Sequence, residues 1–373
     1  MRGKGNVVVR WLRLFFGGVE HVLRWLLTLV NAVVAVGLVG CAWSQRLPAQ
    51  DWPLLSCAGL ALPVFLAATA AFLLVWLVWP RHRALVAISL CALLLCAQSV
   101  RTYLPVNWPA KPPAGSVKVM TFNVFNLQSE DKQTPLAEHP SLQYILQSGA
   151  DIVCCQEAMG LGKAEVDTLL AAVYPFRQHD ARQSAQFSLL SKFPILSMDT
   201  VCYESGGNGS FAYRLLVEGD TVLVVNNHLE SYRLQPDDRQ EYKDMILRPG
   251  ETDVELGLRD LVEKVMAANV RRGPQADSVA QYVERAPERY KIVCGDFNAP
   301  SISYPHWRLT RSLNDAYTRS GNGPGISYHL SGMYFRIDNI FCSHNIRPYQ
   351  ARVDRSANAS DHYPLYCHLV MGQ

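Results

Sequence analysis

The chain has 373 residues, of which 49% are hydrophobic, and 35 Lys and Arg against 32 Asp and Glu give a formal net charge of +3. The charge is unevenly divided, because residues 1–115 contain ten of these bases and two of the acids, whereas residues 116–373 contain 25 bases and 30 acids. This division argues against a wholly soluble enzyme and against a cationic DNA-coating protein, and the composition fits no low-complexity or disordered class.

Three apolar runs without a charged residue occupy the basic N-terminal part. They are Trp25–Gln45, Trp52–Trp79 and Ala84–Val100, and roughly 20 apolar residues cross a hydrocarbon core. The third run is at the short limit. A cleaved signal peptide would account for the first run alone. The sequence therefore predicts a membrane anchor over residues 1–101 with three transmembrane helices, at about residues 22–43, 54–79 and 84–100.

Basic residues near these runs predict the side of the membrane on which the rest of the chain lies. Five basic residues precede the first run, and two lie between the second and third runs. The loop between the first two runs has one basic residue, Arg46, beside the acidic Asp51. Because Lys and Arg are retained in the cytoplasm, we expect the chain after Arg101 to be extracytoplasmic, in a periplasm or outside the plasma membrane. If the third run does not cross, this part stays in the cytoplasm.

A proline-rich linker over residues 102–116 is expected to be a stiff, extended tether, and one domain is predicted over residues 117–373. Helical patterns separate several of its β-rich runs. The longest helical stretch lies between His228 and Lys291, with an expected break at Gly273–Pro274. This mixture predicts an α/β (α+β) four-layer sandwich of two packed mixed β-sheets flanked by helices. The β-rich runs are 117–122, 151–155, 187–191, 211–217, 221–226, 291–294, 337–342 and 364–370.

Carboxylates, amides and histidines stand at the ends of these predicted strands, where a rigid sheet can position functional groups. No serine or cysteine nucleophile occurs in a GxSxG context. Oxygen donors with a few carboxylates suit Mg²⁺, which takes the rest of its ligands from water and phosphate. The residues are Asn123, Glu157, His228, Asp296, Asn298, Asp338, Asp361 and His362.

The stretches around these residues resemble the endonuclease/exonuclease/phosphatase (deoxyribonuclease I-like) superfamily. In the family's order they are TFNVFN, CCQEA, NNHLES, CGDFNAP, RIDNIF and SDHYP, and they extend from Met120 to Pro364. NNHLES is most similar to the histidine-containing members, such as tyrosyl-DNA phosphodiesterases. Residues 232–290 match no part of the pattern. The chain is thus expected to be a membrane-anchored member of this superfamily.

The resemblance implies a metal site and a general base. Glu157 would bind Mg²⁺, with Mn²⁺ as an alternative, and Asn123 and Asp361 would complete or support the metal shell. Asp296 would orient and deprotonate the attacking water, and Asn298 would steady the water or the phosphate. Each residue alone also has a structural interpretation: Asn123 could cap a turn, and Glu157 could be the first acid of a helix.

The resemblance also implies two histidines that contact phosphate. His362 would stabilise phosphate oxygens as an imidazolium that Asp338 keeps charged and oriented. His228 would make a second phosphate contact. The structural alternatives are that His228 is a satisfied buried histidine and that Asp338 is a partner of Arg336.

The predicted activity is metal-dependent hydrolysis of phosphodiester (or phosphomonoester) bonds by a membrane-tethered enzyme. Three substrate classes stay open: nucleic acid, as in nucleases or tyrosyl-DNA phosphodiesterases, a sphingomyelin-type lipid, and an inositol phosphate. The acidic balance of residues 116–373 counts against duplex DNA, and Arg271 and Arg272 are interpreted as a solvated face. A catalytically inactive, membrane-anchored ligand sensor is the alternative of another class. Beyond the phosphate-ester substrate and the membrane, no obligate protein partner is indicated.

Overall fold

The computed structural model describes residues 4–128, 134–182, 185–233, 236–248 and 254–372. They form two compact units, the first within Met1–Trp43 and Leu60–Val100 and the second within Ser44–Gly59 and Arg101–Gln373. Residues 44–59, which lie within the sequence range of the predicted anchor, thus belong to the second unit.

The first unit consists of apolar helices. Among the residues that the structure describes, two stretches are long and apolar enough to cross a membrane: Val9–Ser44, and Leu55–Val78 with its initial 3₁₀ turn. The third predicted span is bent by 66° between His82–Leu95 and Ala97–Tyr103, because Cys96 departs from helical backbone angles (φ −101°, ψ 5°). The three predicted helices are therefore corrected to two, or to three if the bent pair crosses as one span. The helices are α1 (Lys4–Ser44), α2 (Leu62–Val78), α3 (Val86–Leu95) and α4 (Ala97–Tyr103).

Two six-stranded sheets form the centre of the second unit. The strands are β1 (Val117–Asn123), β2 (Ile152–Gln156), β3 (Phe176–Arg182), β4 (Ala185–Ser191), β5 (Ile195–Thr200), β6 (Gly209–Val217), β7 (Asp220–His228), β8 (Tyr290–Asp296), β9 (Asn314–Asp315), β10 (Asp338–Cys342), β11 (Ile346–Val353) and β12 (Leu365–Met371). Their orders are β11-β12-β1-β2-β4-β3 and β5-β6-β7-β8-β10-β9. β1 pairs parallel with β2, and β7 with β8, while the other neighbours are antiparallel, so both sheets are mixed.

Three apolar clusters hold these layers together: one between the sheets, one under α5 (Pro140–Gln147) and α6 (Ala164–Ala171), and one under α8 (Val254–Arg285) and α9 (Tyr304–Thr310). Strand β2 contributes to two clusters. Its Ile152 and Cys154 face the other sheet, whereas Val153 and Cys155 face the helices. Burial on both faces explains why this strand reads as a continuous apolar run. The structure confirms two packed mixed sheets flanked by helices.

Two further helices, α7 (Pro236–Leu247) and α10 (Ala316–Ser320), complete the described helices of this unit. Helix α8 runs through Pro274, so the break expected at Gly273–Pro274 is absent. The predicted linker also forms hydrogen bonds with the domain. Asn107 Nδ2 donates to the carbonyl of Gly321 at 2.6 Å, and the Asn107 N–H donates to Asn322 Oδ1 at 2.7 Å. These bonds fix the linker to the domain.

Candidate functional site

The predicted polar residues meet at one edge of the two sheets. The carboxyl ends of parallel strands lie side by side, and β1 ends at Asn123 while Glu157 directly follows β2. In the other sheet, His228 and Asp296 end β7 and β8 as a register pair. Asp338, the first residue of antiparallel β10, pairs with Asp296. The strand topology therefore explains why residues far apart in sequence come together.

The carboxylate of Asp296 is the centre of this group. It is buried, and its Oδ2 accepts from Asn123 Nδ2 at 3.1 Å and from Asn298 Nδ2 at 3.4 Å. The Nε2 atoms of His228 and His362 lie 3.6 Å and 3.7 Å from the same oxygen. Burial raises the pKa of Asp296 above its usual range, although the nearby imidazoles oppose this effect. A raised pKa makes the Asp296 carboxylate a stronger base.

Asn123 lies between Glu157 and Asp296 and donates to both. Its Nδ2 is 3.1 Å from Glu157 Oε1, and its Oδ1 accepts from the N–H of Phe125 at 3.1 Å, so Asn123 caps a turn and also orients two carboxylates. Glu157 has a left-handed φ of 48°, and strained residues of this kind concentrate at functional sites. Helix α6 begins only at Ala164. Glu157 is therefore not the first acid of a helix.

His362 and Asp338 form a buried ion pair, in which Nδ1 and Oδ2 are 2.8 Å apart. Burial alone disfavours the charged ring, but the negative charges of Asp338 and Asp296 outweigh it and raise the pKa of His362 well above its usual range. These interactions favour the imidazolium form of His362. Arg336 does not pair with Asp338. Its Nη2 lies 3.1 Å from Asp315 Oδ2 instead.

A cavity of about 160 Å³ opens at this edge. Six predicted residues line it, and Asn123 and Asp338 stand behind them. The remaining lining residues were not predicted from the sequence. Phe125 lies within TFNVFN, and Tyr232 and Arg233 follow NNHLES. Their closeness to these motifs could have indicated that they line the site. The predicted lining residues are Glu157, His228, Asp296, Asn298, Asp361 and His362, and the missed ones are Phe125, Ser231, Tyr232, Arg233, Tyr328, Met333, Phe335 and Ile337.

The donor set at the cavity suits a divalent cation. Asp296, Asp338 and His362 offer ligand atoms within 4.8 Å of one another, but in this group the His362 ring is already hydrogen-bonded to Asp338. Glu157 and Asp361 add two carboxylates to the cavity wall, and the Glu157 side chain is 29% exposed. Carboxylate oxygens that open to a cavity are the ligands that Mg²⁺ combines with water and phosphate. The residues present therefore fit a divalent metal.

Two buried amides join the sheets behind the cavity. Gln156 of the first sheet donates from Nε2 to Oδ1 of Asn226 in the second sheet at 2.6 Å. Asn226 Nδ2 donates in return to the carbonyl of Cys155 at 3.0 Å. Gln156 immediately precedes Glu157, and Asn226 lies two residues before His228, so this pair connects the two halves of the site.

The interpretation of Arg272 as a solvated residue is wrong. Its side chain is fully buried and stacks over the ring of Tyr232 at 4.0 Å. Its Nη1 donates to the carbonyls of Glu230, at 3.2 Å, and of Asn298. The neighbouring Arg271 is exposed and lies 3.3 Å from the Glu230 carboxylate. Helical spacing alone could not distinguish the two arginines, because it does not show what covers each face.

The sequence profile of the endonuclease/exonuclease/phosphatase family matches residues 120–362. This match covers more than half of the chain, and the chain belongs to this family of phosphodiesterases and nucleases. The predicted superfamily is thereby confirmed. A second profile, described as a domain of unknown function (DUF8431), matches residues 24–103. No curated protein matches the chain.

Solved structures that resemble the chain include TDP2 of D. rerio humanized by 14 mutations, at 16% identity, with 69% of this chain and 100% of that chain covered and a TM-score of 0.49. The human Nocturnin catalytic domain with bound sulfate anion is 15% identical over 70% of this chain and 97% of that chain, also with a TM-score of 0.49. An endonuclease/exonuclease/phosphatase from Beutenbergia cavernae is 17% identical over 69% and 72%, with a TM-score of 0.49.

Proposed function

We propose that this protein is a membrane-tethered, divalent-metal-dependent hydrolase of phosphate esters, with phosphodiesters as the preferred substrates. The observation that supports this most strongly is the environment of Asp296. One buried carboxylate oxygen lies within 3.7 Å of two amide nitrogens and two imidazole nitrogens. Hydrolysis of a phosphate ester needs these same groups: a base for water and donors for the phosphate oxygens.

Asp296 accepts the proton of the attacking water in this proposal. The N–H of Asn298 donates to Asp296 Oδ1 at 2.8 Å, and Asn123 donates to Oδ2, so the carboxylate has a fixed orientation. Burial favours its protonated form and thereby makes proton uptake easier. The left-handed φ of 49° at Asn298 turns the chain so that both the N–H and the side-chain amide face Asp296.

The two histidines stabilise the negative charge of the reacting phosphate. His362 carries a positive charge because Asp338 accepts from its Nδ1, which leaves Nε2–H directed toward Asp296 and the cavity. His228 Nε2 lies between Asp296 and Glu157, at 3.6 Å and 3.9 Å. Preorganised donors of this kind act without further reorganisation when charge develops.

Glu157, Asp361 and Asn123 would hold the divalent metal. When bound, the metal supplies positive charge to the phosphate oxygens and lowers the pKa of a bound water. Asn123 as oriented presents its amide nitrogen to Glu157 and Asp296, and its ligand role would use the Oδ1 atom that also accepts from Phe125. Mg²⁺ is the proposed ion and Mn²⁺ the alternative.

The substrate classes are those that the sequence left open: nucleic acid, a phosphodiester lipid, or a small phosphate ester. Aromatic side chains of Tyr232, Tyr328 and Phe335 line the cavity beside the charged residues. This lining supports an ester that has an apolar or planar group next to its phosphate. The acidic domain counts against duplex DNA. We propose that the domain faces the extracytoplasmic side, because the short-loop bases favour that orientation.

Hydrolysis by the full chain in detergent tests this proposal. The substrates would be bis-p-nitrophenyl phosphate, single- and double-stranded DNA, RNA, a 5′-tyrosyl oligonucleotide, sphingomyelin and inositol phosphates, with and without EDTA. Asp296→Ala and Glu157→Ala should each lower the rate at least about 100-fold, whereas Glu263→Ala on the exposed face of α8 should not. Activity that survives EDTA or both site variants would contradict the mechanism, and inactivity on all substrates would support the ligand-sensor alternative.

A reporter fused after Lys118 tests the proposed side of the membrane. Alkaline phosphatase activity of the fusion is expected, because this reporter functions outside the cytoplasm. An active β-galactosidase fusion at the same position would overturn the proposed orientation.

A further inference from the structure

A buried arginine connects the candidate site to the helical stretch that matches no family motif. Arg272 of α8 donates to the carbonyl of Asn298, the residue that holds Asp296 in place, and stacks on Tyr232 of the cavity wall. Among the residues that the structure describes, no carboxylate forms an ion pair with Arg272. A buried charge without a counter-ion depends on hydrogen bonds for its position.

A further hydrogen bond of this guanidinium leads toward the N-terminal part of the chain. Arg272 Nη2 donates to Asn269 Oδ1 at 2.5 Å. Asn269 Nδ2 in turn donates to Ser56 Oγ at 2.9 Å and lies 3.8 Å from Cys57 Sγ. Ser56 and Cys57 belong to residues 44–59, the segment that runs from the last residue of α1 into the 3₁₀ turn before α2 and is here called the interhelical loop.

A second contact joins the interhelical loop to residues 297–303, the loop between β8 and α9 that contains Asn298 and is here called the catalytic loop. Gly59 lies so close to Ile302 that a Cβ at Gly59 would collide with the Ile302 carbonyl oxygen. Ile302 is buried four residues after Asn298 in the same loop. On the other side, Gly273 leaves room for Gln50, whose Oε1 would lie 2.8 Å from a Cβ at that position. The interhelical loop thus contacts both α8 and the catalytic loop.

We propose that the interhelical loop is a positioning element of the active site, which acts on Asn298 and Asp296 through Asn269 and Arg272. The loop itself contacts no reacting group. It fixes the Asn269 side chain, Asn269 fixes the Arg272 guanidinium, and Arg272 fixes the Asn298 carbonyl. The part of this proposal that concerns catalysis rests on the proposed function. The contact between the loop and α8 does not depend on it.

Docking of the interhelical loop on the domain also constrains how residues 60–100 cross the membrane. The interhelical loop and residues 101–373 must lie on one side of the membrane if they touch. Residues 60–100 must then cross an even number of times, so α2 cannot be the only crossing between them. The bent helix pair that ends at Tyr103 would therefore complete a crossing.

A disulfide cross-link tests the contact without any substrate. In full-length Asn269→Cys protein in membranes, the introduced thiol would face the native Cys57, and mild oxidation should link the two within one chain. Mass spectrometry of peptides from the monomer band should find this link in most of the protein. Arg259→Cys, on the exposed part of α8, is the matched control and should not link to Cys57. Absence of a link between Cys57 and the introduced thiol in folded Asn269→Cys protein would overturn the proposed contact.

Kinetics of the full chain test the positioning role. Asn269→Ala and Arg272→Gln should each lower kcat about 10- to 100-fold with KM within about twofold, because a displaced base slows the chemical step rather than binding. Arg272→Lys should recover part of the loss. The double variant should lose little more than Arg272→Gln, since both residues act along one path. Gly59→Ala should act in the same direction, and Gly40→Ala, with open space around its position, should not.

Two results would contradict the positioning role: losses that simply multiply in the double variant, and a rise in KM at constant kcat. Thermal unfolding of each variant gives the temperature range in which it is folded. Because kcat is measured below that transition, a loss of kcat, and its partial recovery in Arg272→Lys, reflects the position of the base rather than misfolding. If the parent protein hydrolyses none of the phosphate esters, the proposed function fails. The cross-link then still decides whether the interhelical loop docks on the domain.

Discussion

Replacing Asp338 with asparagine preserves the size of the side chain but removes the negative charge beside His362. The two groups are 2.8 Å apart and both are buried, so the lost interaction is a charge-assisted hydrogen bond worth about 2 kcal/mol. In the proposed mechanism His362 stabilises the reacting phosphate as a cation. A loss of about 2 kcal/mol in the transition state corresponds to a roughly 30-fold lower kcat/KM at neutral pH.

The same substitution should also shift the pH dependence of kcat/KM in a defined direction. The pKa of His362 is raised in the folded protein, because the charges of Asp338 and Asp296 outweigh burial. The imidazolium is therefore lost only as the pH rises through this elevated pKa. In Asp338→Asn the pKa of His362 falls, so the alkaline decline of kcat/KM should begin at a lower pH than in the parent protein. Hydrolysis of bis-p-nitrophenyl phosphate from about pH 5 to pH 10 measures both effects.

A matched control exists in the same domain. Asp315 and His306 form another buried carboxylate–histidine pair, at 3.0 Å, outside the residues that line the cavity. Asp315→Asn should lower the stability of the fold and leave the alkaline decline of the activity where it is. An unchanged profile in Asp338→Asn, or an equal shift in Asp315→Asn, would refute the assignment of the imidazolium to His362.

Three further changes have defined expected outcomes. Glu157→Gln should raise the Mg²⁺ concentration needed for half-maximal activity at least about tenfold, measured by metal titration, and an unchanged requirement would argue against Glu157 as a ligand. Gly295→Ala should prevent stable folding, because Gly295 has a φ of 135° and a Cβ there would collide with the Asn227 carbonyl oxygen; a normal melting temperature would contradict this. Asp167 has a pKa lowered to about 2, chiefly by its hydrogen bonds with Arg177, so its contribution is present above its ordinary pKa and lost as pH falls toward 2. Asp167→Asn should cost about 1 kcal/mol at pH 7, reduced by partial exposure, with a difference that narrows below about pH 4 in acid-unfolding curves.

The sequence was sufficient to predict the superfamily and the residues that converge at the sheet edge. Asn123, Glu157, His228 and Asp296 each stand at the end of an apolar strand, and the parallel pairing of those strands brings the ends together. The strand β2 was predictable because its run of buried residues is continuous. Strand β3, in contrast, consists largely of half-exposed polar side chains. Its sequence therefore has no alternation of apolar and polar residues from which a strand could be predicted.

The rest of the site depends on contacts that sequence pattern does not encode. Arg271 and Arg272 are adjacent and chemically identical, yet one is exposed and the other fully buried, because α8 packs one of them against the catalytic loop. Pro274 suggested a break, but the helix continues through it. The assignment of the interhelical loop to the second unit also follows from tertiary packing alone.

The amide pair of Gln156 and Asn226 has a consequence for how accurately the site is assembled. An apolar interface between two sheets tolerates small sliding, since its attraction has no direction. Two buried amides tolerate much less, because a slip would leave their donors and acceptors without partners at about 1–3 kcal/mol each. This energy penalises misalignment without adding much net stability. The pair therefore fixes the position of one sheet relative to the other. It thereby sets the distance between the half of the site on β1 and β2 and the half on β7 and β8.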